Sequence, residues 1–473
     1  MTGGQRVADK RVHAFRDDDA LGRHDAVALA AQVKDGSVSP AELAGAAAAR
    51  AAEVDPRLHG LIEPLFDRPR FAGDVSLPLY GVPTFVKDNT DIRGLPTNHG
   101  SEAFTARPAK RDGAYARQFL ATGLTLVGKT RLPEFGFNAT TEYMTEDPVC
   151  NPWNTDHSVG ASSGGSAAFV AAGVVPIAHA NDGGGSIRIP AACAGLVGLK
   201  PSRGRHVDGE QAKHLPINMI SEGVVTRTVR DTATFVAAAE DVWRNPALPP
   251  IGLVRGPAER RLRVGVVLET VNGAPIDEPT RAAVEQTAAV LEKAGHVVEP
   301  MALPLGQQFA DDFLQYWGLL ADLSMATGKL ILDRSFDPSK TDGLTRGLRA
   351  YHRSHLRRTA GALLRLRKAD ATYAEMFARR EVVLSPVLAH VPPPLGFISP
   401  RVPFDTLLER LMQYVAYTPL NNIAGTPAIS LPVGVAAQGV PTAVHLSAAY
   451  GDERTLLELA YLLEAEQPFP TIW

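Results

Sequence analysis

The sequence predicts one large α/β domain with peripheral helices, on three observations. Between residues 80 and 200, short apolar segments alternate with Gly-rich turns ("YGVPTFVKDN", "GLTLVGKT", "GVVPIAHAND", "GLVGLKP"), and helical stretches such as "DGAYARQFLATG" lie between them. "RLRVGVVLET", "EPTRAAVEQTAAVLEKAG" and "HVVEPM" read as strand, amphipathic helix and strand, one βαβ unit. The chain has 473 residues, 45% of them hydrophobic, which is enough for a large buried core.

The elements follow in order. Residues 1–23 read as a polar N-terminal extension without the apolar run of a signal peptide. "HDAVALAAQVKDG" has apolar residues at helical spacing and a glycine stop. "SPAELAGAAAARAAEVDP" opens on Ser39 as N-cap, with Pro40 at the first helical position, Glu42 completing a capping box and Pro56 expected to end the helix. After the strands of 80–200 and the βαβ unit, residues 306–380 read as mainly helical and arginine-rich ("HRSHLRRTAGALLRLRK"), a solvated helix face. Residues 381–465 return to strand, loop and helix, and 466–473 form a C-terminal tail. No linker, repeat or low-complexity tract divides 24–465, so one domain is expected there, with a catalytic core at about 75–205.

Charge narrows the partners. With 48 Lys and Arg against 51 Asp and Glu, the net charge is −3, which gives no electrostatic case for nucleic acid or an anionic membrane. No charge-free apolar run of about 18 residues suggests a membrane span. Cys150 and Cys193, in unlike contexts, form neither a disulfide framework nor a metal pair, and a cytoplasmic protein without metal or cofactor is expected.

Two Gly/Ser stretches draw attention: "VGASSGGSAAF" (159–169) and "NDGGGSIRIPA" (181–191). Neither gives GxxxxGK[ST] or GxGxxG, which argues against a phosphate cradle. Gly160-Ala161-Ser162-Ser163-Gly164 fits the G-x-S-x-G elbow of an α/β-hydrolase esterase with Ser162 as nucleophile. Yet "CNPWNTDHSV" upstream lacks the launching strand, and His179, His296 and His445 sit in no telling context. Taken singly, either stretch also reads as a turn-forming loop.

The joint pattern is more specific. G-x-S-S-G-G-S from Gly160, D-x-G-G-S-I-R-x-P from Asp182 and "GVPTFVKD" upstream together resemble the amidase signature family of serine hydrolases. "GLTLVGKT", "PEFGFNATTE", "NPWN", "GLVGLKPSRGR" and "NIAGTPAISLPVG" support the match, which runs from about residue 24 to 465. Within the family, "IEPLFD", "NPWN" and "PIAHANDGGGSIRIPA" resemble the 6-aminohexanoate cyclic-dimer hydrolase branch, and still more the mycobacterial AmiC-type amidases.

The resemblance implies the amidase signature fold, a large, mixed, mostly parallel twisted sheet with helices on both faces. It also implies hydrolysis of a small-molecule carboxylic amide, without metal or cofactor, by a monomer or homodimer. Ser186 matches the nucleophile, Ser162 the bridging serine after a cis peptide bond, and Lys87 the base. Backbone N–H groups of Gly183, Gly184, Gly185 and Ser186 are expected to form the oxyanion hole, Asp182 and Arg188 to pair as support, and Ser163 to hydrogen-bond nearby. Ala161 stands where the family usually has glycine. A lysine base must be neutral, which burial favours, and "VPTFV" before Lys87 would carry it inside. On residue type alone, Lys87 also reads as a lysine salt-bridged to Asp88 or Asp91. Phe137, Asn138, Tyr316, Trp317 and the "YTPLNNIAG" segment are the substrate-site candidates, suggesting aryl or apolar groups. The alternatives are an amidotransferase-type subunit of the same family, the Ser162 esterase, and an inactive binding protein.

Overall fold

A computed structural model describes residues 10–473, apart from the side chains of Lys213 and His214; residues 1–9 of the expected N-terminal extension lie outside it. The strands are β1 (Leu61–Pro64), β2 (Pro83–Lys87), β3 (Thr125–Thr130), β4 (Cys150–Asn151), β5 (Asn154–Ser158), β6 (Ile177–Asp182) and β7 (Val197–Lys200). They continue with β8 (Ser221–Thr226), β9 (Arg263–Val266), β10 (Val297–Pro300), β11 (Val382–Pro386), β12 (Ala428–Val435) and β13 (Pro441–Ala448). Each apolar segment singled out in the sequence between 80 and 200 contains one of these strands. β2, β3, β6 and β7 are buried along their whole length.

The main sheet has eight strands in the order β10-β9-β11-β13-β12-β7-β8-β6. It is mixed, as expected, but not mostly parallel. Of its neighbouring pairs, β10–β9 and β9–β11 are parallel and the other five are antiparallel. The reason lies in the connections. The parallel β9–β10 pair is joined by the helix Glu278–Lys293, the expected βαβ unit. β12 and β13 are joined by a short turn and form a hairpin. A smaller sheet, β1-β3-β2, lies beside the β6 edge. Side chains bridge the two: Thr84 Oγ1 donates to Ile177 O (2.9 Å), and the Lys87 N–H donates to His179 Nδ1 (3.2 Å).

Helices cover both faces of the main sheet, and β13 shows this by its alternation. Val444, Leu446 and Ala448 join an apolar cluster with Ala283 and Val284 of the 278–293 helix and with Leu456 and Leu457 of the Glu453–Glu466 helix. His445 and Ser447, on the other face, meet Arg188 of the Arg188–Ala194 helix and Asn421 of Pro419–Ala424.

The helix Pro40–Leu58 carries the expected capping box: Glu42 N–H donates to Ser39 Oγ (3.2 Å) and Ser39 N–H to Glu42 Oε2 (2.8 Å). Pro56 does not end it. The helix runs two residues further and stops at His59 in the left-handed conformation (φ 54°), because a proline in the last turn costs one hydrogen bond without redirecting the chain. The described part of the N-terminal segment is docked, with Val12, Ala14 and Phe15 buried and Phe15 packed on Trp473. The arginines of 343–374 are partly ion-paired rather than only solvated: Arg349 and Arg353 meet Asp322, and Arg365 meets Asp312. Among the described residues no helix is long and apolar enough to cross a membrane.

Candidate active site

Lys87 is the last residue of β2, an apolar strand that delivers its side chain into the interior, where it has no solvent exposure. Its ammonium donates to Ser162 Oγ (2.5 Å) and Asn181 Oδ1 (2.6 Å). Burial pushes it from its ordinary 10.5 down to about 7, against the pull of Glu222 and Asp182. The carboxylates around it are engaged elsewhere. Asp88 pairs with Lys129 (2.6 Å), so the salt-bridged alternative for Lys87 does not hold. Glu222 Oε2 meets His179 Nε2 at 3.0 Å. Because His179 Nδ1 accepts the Lys87 N–H, the ring proton sits on Nε2 and is donated to Glu222.

Ser162 follows Ala161 in a cis peptide bond. Gly160 holds φ at 82°, and a Cβ there would come within about 3.0–3.1 Å of Pro190 and Cys193, so glycine lets this turn lie against the 188–194 helix. Ala161 is buried in an apolar cluster with Ile189, Ala192 and Cys193. Ser163 Oγ donates to Ser186 O (2.6 Å), tying the two Gly/Ser loops together. Ser166, inside the Gly164–Ala171 helix, donates to His179 O (2.7 Å).

Ser186 and Ser162 line the same cavity, but among the described residues no hydrogen bond joins their hydroxyls. The loop carrying Ser186 is held from beneath. Asp182 takes Arg188 Nε and Nη2, each at 2.9 Å, and Arg188 also donates to Asn421 Oδ1, Asn422 Oδ1 and Thr418 O. Burial alone would raise the Asp182 carboxyl. The Arg188 charge and hydrogen bonds, with Lys200 and Asn422, outweigh burial and hold it well below the usual carboxylate range. The expected oxyanion run narrows here. Gly185 N–H donates to Asp182 Oδ1 (2.7 Å) and is therefore engaged, which leaves the amides of Gly183, Gly184 and Ser186. Gly185 also sits at φ 135° with Thr418 Oγ1 about 2.5 Å from where a Cβ would be, so no larger residue fits.

The cavity has a volume of about 380 Å³. Phe137, Asn138 and Trp317 line it, together with Phe313, Met219 and Leu420. Tyr316 does not. Its hydroxyl is turned inward, donating to Ile217 O (2.6 Å) and accepting from Ile217 N–H (3.0 Å), because consecutive residues of the Gln307–Ile331 helix point about 100° apart. No Asp, Glu, Lys or Arg appears among the described residues lining the cavity, and no group of three described His, Cys, Asp or Glu residues could hold a metal ion.

Sequence reasoning missed several groups. Asn181, the second acceptor for Lys87, directly precedes Asp182 in "HANDGGGS". Asn421 and Asn422 lie within "YTPLNNIAG", singled out only as a substrate-site candidate, and Asn422 Nδ2 donates to Asp182 Oδ1 (2.8 Å). Two adjacent asparagines in an apolar stretch were the available signal. No histidine is hydrogen-bonded to Ser162 among the described residues, which removes the base that an esterase elbow needs.

Ser162, hydrogen-bonded to buried Lys87, and Ser186 line one cavity, and comparison with known proteins decides the family. The Amidase family model matches residues 46–457. The chain belongs to the Amidase family. It is 47% identical to a candidate amidase, AmiC, of Mycobacterium leprae, covering 98% of this chain and 99% of that one. It is 32% identical to the 6-aminohexanoate-cyclic-dimer hydrolase of Paenarthrobacter ureafaciens, covering 94% and 95%. A solved 6-aminohexanoate cyclic dimer hydrolase with substrate matches at TM-score 0.82 and 29% identity, covering 95% of this chain and 98% of that one. A bacterial aryl acylamidase of the amidase signature family matches at TM-score 0.79 and 25% identity, covering 94% and 96%. AmiC and the cyclic-dimer hydrolase are the branches the sequence motifs pointed to. This membership makes the chain an amide-hydrolase homologue on an amidase signature fold.

Proposed function

We propose that this Amidase-family protein hydrolyses uncharged carboxylic amides with apolar or aryl groups through Ser186, Ser162 and Lys87. The observation that carries this is the fully buried Lys87 ammonium, 2.5 Å from Ser162 Oγ, with Ser162 and Ser186 both lining one cavity. Near pH 7 a large share of Lys87 is neutral. Neutral Lys87 takes the Ser162 proton as Ser162 takes the Ser186 proton. Ser186 Oγ then bonds to the amide carbon, and the amides of Gly183, Gly184 and Ser186 receive the oxyanion. The relayed proton passes to the departing nitrogen, the C–N bond breaks, and the amine or ammonia leaves. Water, deprotonated by the same relay, hydrolyses the acyl-enzyme. No cofactor enters these steps.

The apolar lining supports the substrate class, as does the likeness to an aryl acylamidase. An amidotransferase-type substrate with a carboxylate would call for a cation in the cavity, and the described lining supplies none. We place the enzyme in the cytoplasm as a single domain over 24–465, acting as a monomer or homodimer. Both cysteines are free and buried, with burial pushing their thiols up to about 11 and about 12, which suits a reducing compartment. The test is reaction with a fluorophosphonate followed by mass spectrometry. An adduct on Ser186, lost in Ser186→Ala, is expected. An adduct on Ser162 would overturn the assignment, and none on folded protein would overturn the enzyme reading.

A further inference from the structure

Two carboxyl groups outside the Lys–Ser–Ser set are buried together. Glu134 and Asp342 are 5% and 7% exposed. Glu134 opens the turn that continues into Phe135, Gly136, Phe137 and Asn138, all of which line the cavity. Asp342 is the N-cap of the Gly343–Ser354 helix. Glu134 Oε1 accepts the Asp342 N–H (2.8 Å), Glu134 Oε2 accepts Ser101 Oγ–H (2.7 Å), and Asp342 Oδ1 accepts the Thr345 N–H (2.7 Å). Neither carboxylate has a basic side chain within ion-pairing distance among the described residues. The charged and titratable groups nearby are few. Arg346, on the same helix as Thr345, donates to Thr341 O; His99, whose carbonyl accepts the Phe135 N–H, is held neutral by burial; and Glu102 is solvent-exposed.

The turn that Glu134 anchors bears directly on the relay. Phe135 is held at φ 50° and Gly136 at φ 70°, and a Cβ on Gly136 would lie about 3.1 Å from Ser162 Oγ. On the other side, the 343–354 helix is fastened to the Gln307–Ile331 helix, because Asp322 of the latter takes Arg349, His352 and Arg353. The 307–331 helix supplies Phe313 and Trp317, so the two walls of the cavity meet through Glu134 and Asp342.

We propose that Glu134 is a positioning residue: by accepting the Asp342 N–H it fastens the Phe135–Asn138 wall to the 343–354 helix and so holds Gly136 against Ser162. This rests on the amidase reading above. A single proton between two buried carboxyls leaves one charge, which the Ser101 hydroxyl and the Asp342 and Thr345 amides stabilise. Two charges there would repel in a poorly screened interior. Burial first, and Asp342 second, push Glu134 up to about 8, and burial raises Asp342 as well. The pair therefore keeps its proton through neutral pH and loses it on the alkaline side. The rising acid limb of activity belongs to Lys87, and the falling alkaline limb to Glu134 with Asp342.

The experiment compares kcat and KM from pH 5.5 to 10 for wild type, Glu134→Gln, Glu134→Ala and Asp342→Asn on an aryl amide. Initial rates are read against the fluorophosphonate labelling rate at Ser186. Glutamine carries the proton permanently. Glu134→Gln should keep kcat at pH 7 within about threefold and lose the alkaline limb, while Glu134→Ala should lose at least about tenfold in kcat with a smaller change in KM. Asp342→Asn should also abolish the limb, and it serves where Glu134→Ala does not fold. A wild-type alkaline limb in both Glu134→Gln and Asp342→Asn, or an unchanged kcat in Glu134→Ala, overturns the role. If the wild type neither labels at Ser186 nor hydrolyses any amide, the amidase reading has failed instead.

Discussion

Replacing Lys87 by methionine tests the electrostatics of the base apart from its chemistry. The side chain is fully buried, and its ammonium is pushed from 10.5 to about 7. The unfolded chain therefore binds a proton that the folded one holds weakly, and between pH 7 and 10.5 folding stability rises with pH. For a folded value of about 7, linkage puts the cost of Lys87 at about 4 kcal/mol at pH 7 and about 2 kcal/mol at pH 9. Methionine removes that cost but leaves Asn181 Oδ1 and Ser162 Oγ without their donor, a loss of about 1–3 kcal/mol for each buried group. The loss does not vary with pH, so the stability of Lys87→Met relative to wild type should fall by about 2 kcal/mol from pH 7 to pH 9. Lys200, also buried and pushed down to about 7, contributes equally to both proteins and cancels. Urea unfolding followed by tryptophan fluorescence at the two pH values reads the difference directly. A gap that does not change with pH would refute the claim that the fold, rather than the substrate, makes this lysine neutral. Amide turnover by Lys87→Met should be lost at both pH values.

Two further outcomes follow from the same geometry. Arg188→Leu strips Asp182 of its bidentate partner inside the protein and should destabilise the fold by about 3–5 kcal/mol, read as a lowered melting temperature at pH 7. Trp317→Ala removes one apolar wall of the cavity; KM for aryl amides should rise about tenfold while kcat for a small aliphatic amide changes little, and steady-state kinetics on the two substrates separate the effects.

The parts of the site written in backbone demands were the parts legible in the sequence. An apolar run ending in Lys87, glycines where two loops touch, and an Asp–Arg pair spaced around a serine each leave a local mark. The capping box at Ser39 and Glu42 is of the same kind, since every group it needs lies within four residues. What could not be read depends on the tertiary environment. Tyr316 and Trp317 are adjacent aromatics on one helix, and which of them faces the cavity depends on its rotation against Ile217. Gly185 is one of three consecutive glycines, and only the folded position of Asp182 takes its N–H away from the oxyanion. Strand direction failed for a similar reason. Apolar runs mark buried strands without their sense, and nothing in them tells that β13 runs antiparallel between β11 and β12.

A lysine among carboxylates usually stays charged, and Asp88, Glu222 and Asp182 all lie near Lys87. Each has another partner: Lys129 for Asp88, the His179 Nε2 proton for Glu222, Arg188 for Asp182. What remains for the Lys87 nitrogen is two neutral oxygens, the Ser162 hydroxyl and the Asn181 carbonyl, both of which accept equally from an amine. Desolvation is then opposed only by charges acting at a distance, and it prevails. The neutral lysine is thus a property of three residue pairs rather than of one strand, because freeing any of those carboxylates would give Lys87 a counter-ion and raise its pKa. Substitution of Lys129 by methionine would free Asp88 at the residue next to Lys87, without touching the serines. On this account its effect on turnover should come as a shift of the acid limb toward higher pH, and not as a uniform loss of rate.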